Sequence, residues 1–232
     1  MEPLTIAPIG TELLDDPAAD PALAAASLGN LARSNRWFGG TAAVRYGLRR
    51  ALGSVAPGTT LSLLDLGTGA GDLPDAARRW AEQRGVHLLP IGLERSRVAA
   101  GLAHGAGVPC AVADAGFPPV REKSVDLVLV SQVVHHLDAR SAVRLLRTCD
   151  RLARRAVIVA DLRRGRFGRV AFWVGARALG FDPVTVADGM TSIRRGYTAP
   201  ELRALLATAG VRGTVHRRPG YRLVAVWHPV GR

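Results

Sequence analysis

From about residue 61 onward, the chain alternates between short apolar runs of strand length and longer stretches with helical periodicity. Five of the apolar runs are predicted to be buried strands: 61–66, 87–93, 110–113, 125–130 and 156–160. Helices are predicted at 73–83 and 139–152. Strands that alternate with helices favour a doubly wound parallel sheet, so the sequence predicts an α/β fold.

The pattern changes after the fifth strand. Two further apolar runs, 211–217 and 221–228, are separated only by Arg218-Pro219-Gly220, which is typical of a hairpin. A helix predicted at 198–209 precedes them and opens with a capping box, Thr198 and Glu201. We therefore predict a seven-stranded, mostly parallel sheet whose last strand is antiparallel.

The first 58 residues contain no strand pattern. Helices predicted at 21–36 and 41–52 lie on either side of Gly39-Gly40. The predicted organisation is an N-terminal helical cap over residues 1–58 and a core over 59–232. An insertion at about 163–197 in the core contains the apolar stretch 170–181, which we interpret first as a helix of a substrate pocket. The alternative is a lid that touches lipid or receives an apolar acceptor.

The charge of the chain raises the possibility of a polyanionic partner. There are 31 basic and 19 acidic residues, so the formal net charge is +12. The basic residues are all arginines except Lys123, and they are scattered rather than gathered in one run. Aromatic residues, which stack on bases, amount to 5%. These features argue for a compositional bias and against nucleic acid as a partner, with RNA binding as the minority interpretation.

The sequence also bears on compartment and metals. No run approaches the roughly 18 uninterrupted apolar residues of a membrane span, and no basic segment leads into an apolar run after Met1. We therefore expect a cytoplasmic protein without a membrane span. Cys110 and Cys149 alone provide neither a disulfide framework nor a zinc cluster, and no metal is expected.

The first strand runs into the turn Gly67-Thr68-Gly69-Ala70-Gly71-Asp72. Glycine occupies the first, third and fifth places, whereas a dinucleotide fingerprint requires it at the first, third and sixth. Such a turn lets a ligand lie against the main chain, because side chains at Gly67 or Gly69 would fill that space. Asp65 lies inside the apolar strand, so we expect it to accept hydrogen bonds from the amides of the turn.

Two more acids follow neighbouring strands. Glu94 ends the second strand and Asp114 ends the third, and ligands bind at the carboxyl ends of parallel strands. A carboxylate at Glu94 can accept two hydrogen bonds from a ribose diol. Taken alone, Glu94 is equally consistent with a helix start and Asp114 with a turn. The acids and glycines in this order favour a nucleoside site.

The segment 64–72 resembles motif I of the class I S-adenosylmethionine-dependent methyltransferases, and the layout from about residue 61 onward is similar to their Rossmann-like fold. The resemblance implies S-adenosylmethionine as cofactor and S-adenosylhomocysteine as product. It implies that Asp114 meets the adenine amino group and that the following amide meets the ring. The cofactor residues that it implies are Asp65, Gly67, Thr68, Gly69, Gly71, Asp72, Glu94, Arg95, Asp114, Ala115, Ser131 and Gln132.

The segment 131–138 after the fourth strand, Ser-Gln-Val-Val-His-His-Leu-Asp, resembles the active-site segment of this family. Methyl transfer mainly requires alignment of the acceptor, and a base only when the acceptor has a proton to lose. His135 or His136 is a candidate for that base. The alternative is that one of them caps the next helix or packs beneath the sheet. Tyr197 is a third candidate, for acid–base chemistry or for lining the pocket.

Candidate substrate residues come from the cap and the insertion. Arg194 or Arg195 would hold an acidic group of the acceptor, although a solvated charge pair is the ordinary explanation. Arg36, Trp37 and Phe38 precede the Gly39-Gly40 break, and this segment would close over the methionine end of the cofactor; the alternative is that Trp37 and Phe38 anchor the cap. Trp173 belongs to the apolar stretch of the insertion.

We predict a methyltransferase that transfers a methyl group to oxygen or carbon of a small molecule. The acceptor would be a natural product of bacterial secondary metabolism, such as a polyketide. The motif Asn/Asp-Pro-Pro-Tyr, which is typical of enzymes that methylate amines, does not follow the fourth strand. The alternatives are an RNA methyltransferase that uses the basic surface and a non-catalytic S-adenosylmethionine-binding protein. The oligomeric state stays open between monomer and homodimer.

Overall fold

The computed structural model describes residues 12–16, 18–53 and 55–229. Its strands are β1 (Thr60–Leu66), β2 (His87–Glu94), β3 (Cys110–Val112), β4 (Val125–Ser131), β5 (Ala153–Leu162), β6 (Thr214–Arg218) and β7 (Arg222–Trp227). Its α-helices are α1 (Pro21–Trp37), α2 (Gly40–Ala51), α3 (Asp72–Glu82), α4 (Arg97–Gly105), α5 (Ala139–Leu152), α6 (Arg166–Ala178), α7 (Pro183–Arg195) and α8 (Ala199–Ala209). Short 3₁₀ turns cover Leu13–Asp15 and Val134–His136.

All seven strands form one sheet in the order β3-β2-β1-β4-β5-β7-β6. Strands β1 to β5 pair in parallel, and β7 pairs antiparallel with both β5 and β6. The hairpin predicted from Arg218-Pro219-Gly220 therefore places β7 between β5 and β6. The prediction of a seven-stranded, mostly parallel sheet with an antiparallel last strand is confirmed.

The helices cover both faces of the sheet, because successive residues of the buried strands point to opposite sides. Leu63 belongs to the core formed with α2 and α3, and Leu64 belongs to the core formed with α5 and α8. The main residues of the second core include Val128, Leu145, Leu146, Leu202 and Leu205.

The two helices predicted before the first strand are present as α1 and α2. Helix α2 packs directly on the sheet, since Val44 and Leu48 are buried in the core with Ile158. Gly47 permits this approach, because a Cβ there would lie 2.4 Å from Cγ2 of Ile158. Residues 1–11 of the predicted cap lie outside the described residues, and the division at residue 58 stays a prediction.

The insertion forms α6 and α7, which pack against each other beside the end of β5. Their shared core consists of Leu162, Phe172, Ala176, Phe181, Val186 and Ile193. The periodicity did not reveal α4, a short helix capped by the hydroxyl of Ser96, which accepts a hydrogen bond from the amide of Ala99. Within the described parts of the chain, no helix is long and apolar enough to cross a membrane.

Candidate active site

The glycine turn after β1 adopts a conformation that requires glycine. Gly67, Gly69 and Gly71 have φ values of 76°, 56° and 79°, in the left-handed region that L residues rarely adopt. A Cβ on Gly67 would lie 2.5 Å from Cγ2 of Val133, whereas the nearest atom to a Cβ on Gly69 is 3.8 Å away. A Cβ on Gly69 would therefore meet only Leu28, at an ordinary van der Waals distance.

Glu94 links the glycine turn to the next strand. Its Oε2 atom accepts a hydrogen bond of 2.9 Å from the amide of Gly69, and its Oε1 atom accepts one of 3.0 Å from the amide of Ser96. Each carboxylate oxygen keeps a second lone pair. Glu94 can therefore hold the turn and still accept hydrogen bonds from a diol.

Asp65 is buried beneath the turn, and 2% of its surface is exposed. Its Oδ2 atom accepts a hydrogen bond of 2.9 Å from the hydroxyl of Thr68, while Oδ1 has no partner among the described residues. Burial raises the pKa of Asp65 to about 7. The expectation that amides of the turn donate to Asp65 is wrong: the amide of Gly69 bonds to Glu94, and the amides of Gly67 and Thr68 bond to the carbonyl of Leu93.

A chain of side-chain hydrogen bonds connects α3 to β7 across the site. Asn35 of α1 donates from Nδ2 to Oδ2 of Asp72 at 3.0 Å, and Gln132 donates from Nε2 to Oδ1 of Asn35 at 2.6 Å. Arg222 donates from Nη1 to Oε1 of Gln132 at 2.7 Å. Burial raises the pKa of Asp72 and lowers that of Arg222 to about 10. This chain fixes Gln132, a non-glycine residue with a φ of 56°.

The other predicted cofactor residues lie at the same edge of the sheet or directly beside it. Asp114 is exposed after β3, and its Oδ1 accepts a hydrogen bond of 2.7 Å from the amide of Gly116. Ala115 is partly buried against the core, and Arg95 is exposed. Ser131 is buried and donates its hydroxyl to the carbonyl of Ala160 at 3.3 Å. Asp114 and Glu94 end neighbouring strands, so the structure brings these two acids to one edge.

His135 forms a buried pair with Asp161. Its Nδ1 atom lies 2.6 Å from Oδ1 of Asp161, and its amide donates to Oδ2 at 3.2 Å. Burial by itself raises the pKa of Asp161, but His135 and the amide of Leu162 hold the value below its ordinary range. An ionised Asp161 places the proton on Nδ1, and Nε2 of His135 is buried without a partner among the described residues.

A cavity of about 350 Å³ lies next to this pair. It is bounded by α1, α6, α7 and the ends of β5 and β7. Its apolar lining includes Leu31, Phe38, Leu162, Ala171, Phe172 and Ile193. His135, Gln132 and Arg222 also line it, so the cavity adjoins the hydrogen-bond chain that begins at α3.

An ionic cluster lies at one side of the cavity. Nη1 of Arg195 lies 3.0 Å from Oε1 of Glu12 and 2.9 Å from Oδ2 of Asp15. Nδ1 of His136 lies 3.0 Å from Oδ1 of Asp15. Burial raises the pKa of Glu12, and the hydrogen bond from His136 lowers that of Asp15. These contacts attach the first 3₁₀ turn to α7.

The same cluster contains ligand types that bind divalent metals. One ligand atom from each of Glu12, His135 and His136 lies within 4.8 Å of the others. The guanidinium of Arg195 already supplies a positive charge beside Glu12. The absence of a metal stays a prediction.

The structure gives Tyr197 a structural position instead of a place in the pocket. It is buried in the core with 2% of its surface exposed, and its hydroxyl donates to the carbonyl of Val134 at 3.2 Å. Burial raises the pKa of Tyr197. A bonded, hard-to-ionise hydroxyl outside the cavity is not positioned for acid–base chemistry.

The aromatic residues that line the cavity are adjacent in sequence to the ones that were predicted. Trp37 and Trp173 are 65% and 42% exposed and do not line the cavity, whereas their neighbours Phe38 and Phe172 do. Trp173 follows Phe172 in α6, and adjacent residues of a helix point about 100° apart. The apolar composition identified the segment but not the side that faces inward.

The predicted substrate arginines also lie outside the cavity. Arg36 is exposed, and Arg194 is exposed and donates from Nη2 to the hydroxyl of Thr191 at 3.2 Å. Of the pair considered in the sequence, Arg195 is the residue that reaches the ionic cluster.

Four residues of the site carried no assigned role in the sequence: Glu12, Asn35, Asp161 and Arg222. Asp161 had a usable signal, because it is an acid near the carboxyl end of a parallel strand, as Glu94 is. Asn35 and Arg222 had none, since their partners are distant in the chain.

Comparisons with known proteins agree with this geometry. Residues 64–160 match the family model described as a methyltransferase domain. The chain is 17% identical to a SAM-dependent methyltransferase from Aquifex aeolicus, with a TM-score of 0.59 over 91% of this chain and 99% of that one. It is 18% identical to magnesium protoporphyrin IX methyltransferase from Synechocystis PCC 6803 with bound SAH, with a TM-score of 0.54 over 83% and 84%. It is 19% identical to the pyocyanin biosynthetic protein PhzM, with a TM-score of 0.54 over 81% and 55%. No curated protein matches the sequence.

The fold and the matched segment define the class, since the chain carries a methyltransferase domain that runs from β1 into β5. The solved structures that it resembles include S-adenosylmethionine-dependent methyltransferases, and the methyltransferase domain makes the protein an enzyme. S-adenosylmethionine is its cofactor, and the residues at the turn fit this group. Oδ1 of Asp65, which has no partner among the described residues, and the remaining lone pairs of Glu94 offer acceptors for a cationic nucleoside. A Cβ on Gly69 would have only Leu28 within 4 Å, so the turn is not crowded at this point.

Proposed function

We propose that the enzyme methylates a hydroxyl oxygen of an apolar small molecule, with His135 as the general base. The acceptor is a natural product such as a polyketide, and the reaction belongs to secondary metabolism in the cytoplasm. The observation that carries the proposal is the buried pair of His135 and Asp161 beside an apolar cavity, in which Nε2 of His135 has no partner among the residues that the structure describes.

The pair supplies what a hydroxyl acceptor needs. When bound, S-adenosylmethionine supplies a methyl group activated by its sulfonium. Asp161 holds the proton of His135 on Nδ1, so Nε2 takes the proton of the acceptor hydroxyl as the oxygen becomes a nucleophile. The negative charge of Asp161 then stabilises the imidazolium. A positioned base of this kind contributes about 10²- to 10⁴-fold in rate.

The cavity favours an apolar and uncharged acceptor. Its volume of about 350 Å³ suits a small molecule, and its apolar walls exclude water from the reacting atoms. Arg195 is paired with Glu12 and Asp15, and Arg222 is bonded to Gln132. Because Arg195 is neutralised by two acids and the charge of Arg222 is opposed by the nearby Asp161, an acidic group on the acceptor is not favoured.

The names of the structural neighbours support a small-molecule acceptor. They include a pyocyanin biosynthetic protein, a magnesium protoporphyrin IX methyltransferase and the CurJ carbon methyltransferase. We take oxygen as the acceptor atom because an imidazole base removes a proton from a hydroxyl faster than from carbon.

A labelled methyl donor and a panel of acceptors test the proposal. The panel pairs apolar hydroxyl compounds with analogues that lack only the hydroxyl. We expect label in the hydroxyl compounds alone, bound to oxygen. In single-turnover experiments, His135→Ala reduces the rate at least 100-fold, and His136→Ala leaves it within a few-fold. Transfer to carbon or nitrogen, or a full rate for His135→Ala, would contradict the proposal.

The RNA alternative is tested in the same screen, because the net charge of +12 could attract phosphates. Total RNA is included as an acceptor at low and high salt. If RNA becomes labelled and this labelling falls steeply at high salt, the enzyme is an RNA methyltransferase and the small-molecule proposal is wrong.

A further inference from the structure

Helix α6 is apolar on two opposite faces. Its inner face packs on the protein through Gly168, Phe172 and Ala176, which are buried. Its outer face carries Phe167, Val170 and Val174, which are 82%, 62% and 54% exposed. These three residues are spaced by three and four positions, so they form one stripe. An apolar stripe of this size on a helix surface indicates an interaction site.

The charges around the stripe are of one sign. Helix α6 contains Arg166, Arg169 and Arg177 and no acidic residue, and no acid occurs anywhere between positions 162 and 181. Trp173 is 42% exposed beside the stripe, and the guanidinium of Arg177 stacks on its ring at 4.3 Å. Arginine and tryptophan at the margin of an apolar helical stripe are typical of helices that lie in a membrane surface.

We propose that α6 docks the enzyme on an anionic lipid bilayer. Phe167, Val170 and Val174 enter the boundary of the acyl chains, and Arg166 and Arg177 lie at the lipid phosphates. With 13 residues the helix lies in the surface and does not cross the membrane. Phosphate-rich headgroups provide the negative charge that this segment lacks.

The charges favour a bilayer over a second copy of the chain. In a symmetric dimer the same patch meets itself, so the arginines of α6 would face one another. The helix offers no acid to pair with them. A lipid surface satisfies both the apolar stripe and its arginine margin.

Docking through α6 would bring the cavity to the lipid. The helix lines the cavity through Gly168, Ala171 and Phe172, so only its own thickness separates the bilayer from the acceptor. An apolar acceptor dissolved in the membrane would enter beside this helix. This consequence rests on the proposed function, whereas vesicle binding is measured without any acceptor.

Co-sedimentation of the full chain with vesicles tests the proposal. One set contains equal parts of phosphatidylglycerol and phosphatidylcholine, and the other contains phosphatidylcholine alone. We expect binding to the first set that is at least tenfold stronger than to the second and that weakens with salt. Absence of binding to anionic vesicles would overturn the proposal.

Paired variants locate the contact. Phe167→Ser with Val174→Ser should reduce binding at least tenfold. Leu89→Ser with Ile91→Ser is the control, because these residues of β2 are 56% and 42% exposed and should not contact the vesicle. Equal losses in both variants would contradict docking through α6.

A second pair of variants separates the arginines of α6 from the general charge of the protein. Arg166→Gln with Arg177→Gln should weaken binding roughly 20-fold. Arg49→Gln with Arg50→Gln, which changes two exposed arginines of α2, should weaken it less than threefold. Equal effects would show binding by net charge alone and would overturn the proposal.

Two further measurements keep the result decisive. Unchanged circular dichroism and cofactor affinity establish that each variant is folded. If Phe167→Ser with Val174→Ser fails this test, the single change Val174→Ser replaces it. Analytical ultracentrifugation tests the other occupant of the stripe. A wild-type dimer that Phe167→Ser with Val174→Ser dissociates, without vesicle binding, would assign the stripe to a second copy and overturn the proposal.

Discussion

Nδ1 of His135 lies 2.6 Å from Oδ1 of Asp161, and both side chains are almost completely buried. The pair forms because β4 and β5 are parallel neighbours, so Asp161 near the end of β5 and the turn that follows β4 meet at one edge of the sheet. The 3₁₀ turn Val134–His136 places His135 beside β5 and aligns its amide with Asp161. Sheet topology thus brings the proposed base next to a partner that is 26 positions away in the chain.

Asp161→Asn should lower the single-turnover rate by about 10²- to 10⁴-fold. The amide removes the charge that stabilises the imidazolium and allows the wrong tautomer of His135. The affinity for S-adenosylmethionine, measured by calorimetry, should stay within a few-fold. Asp138→Asn is the control, because Asp138 caps α5 through the amide of Ser141 and asparagine also caps helices. Equal rates in both variants would mean that the pair is only structural.

The layout of the sheet could be predicted because each buried strand is a continuous apolar run. The strands β1, β2 and β4 lie within one residue of the predicted ranges, and the hairpin follows from three turn residues. Helix α4 was not predicted because it is only nine residues long and two of them are glycines. The packing of α6 on α7 could not be predicted, since it depends on contacts between separate elements.

The geometry around the glycine turn was more predictable than that around the cavity. Gly67 directly follows β1 and Glu94 is the last residue of β2, so local sequence determines their place. Asn35 bonds to Gln132 across 97 positions, and no local pattern encodes that contact. The error between Trp37 and Phe38 has a similar cause, because tertiary packing decides which ring faces the cavity.

Gly67→Ala should abolish measurable cofactor binding. A Cβ at this position would lie 2.5 Å from Val133, and the φ of 76° is strained for any L residue. The turn must shift, which moves the amide of Gly69 away from Glu94. Gly101→Ala provides the comparison, because nothing lies within 4 Å of a Cβ there. Calorimetry with S-adenosylmethionine should show wild-type affinity for Gly101→Ala only; wild-type affinity for both would place the cofactor elsewhere.

Asp65 should make stability depend on pH in a defined direction. Its pKa is about 7 in the folded protein and 3.8 in the absence of burial. As the pH rises between these values, the unfolded chain loses the proton first, so the free energy of unfolding falls until the pH passes about 7. Asp65→Asn removes this effect. The free energy of unfolding of the variant, relative to that of the wild type, should therefore increase by up to about 4 kcal/mol as the pH rises from 4 to 8. Urea unfolding of both proteins measures the gain, and a difference independent of pH would rule out the raised pKa.

Asn35→Ala should break the hydrogen-bond chain between α3 and β7. Nε2 of Gln132 and Oδ2 of Asp72 would each lose a side-chain partner in a mostly buried setting, which costs about 1–3 kcal/mol. Asn30→Ala changes the same residue type on the same helix. The hydrogen bonds of Asn30 with Asp182 (2.8 Å) and Arg33 (3.1 Å) are exposed, and only its longer bond to Thr185 (3.2 Å) is partly buried, so water replaces most of the lost contacts. Urea unfolding should therefore show a loss for Asn35→Ala that exceeds the loss for Asn30→Ala by at least about 1 kcal/mol. Equal losses would mean that this series of hydrogen bonds contributes no more stability than a hydrogen bond at the surface.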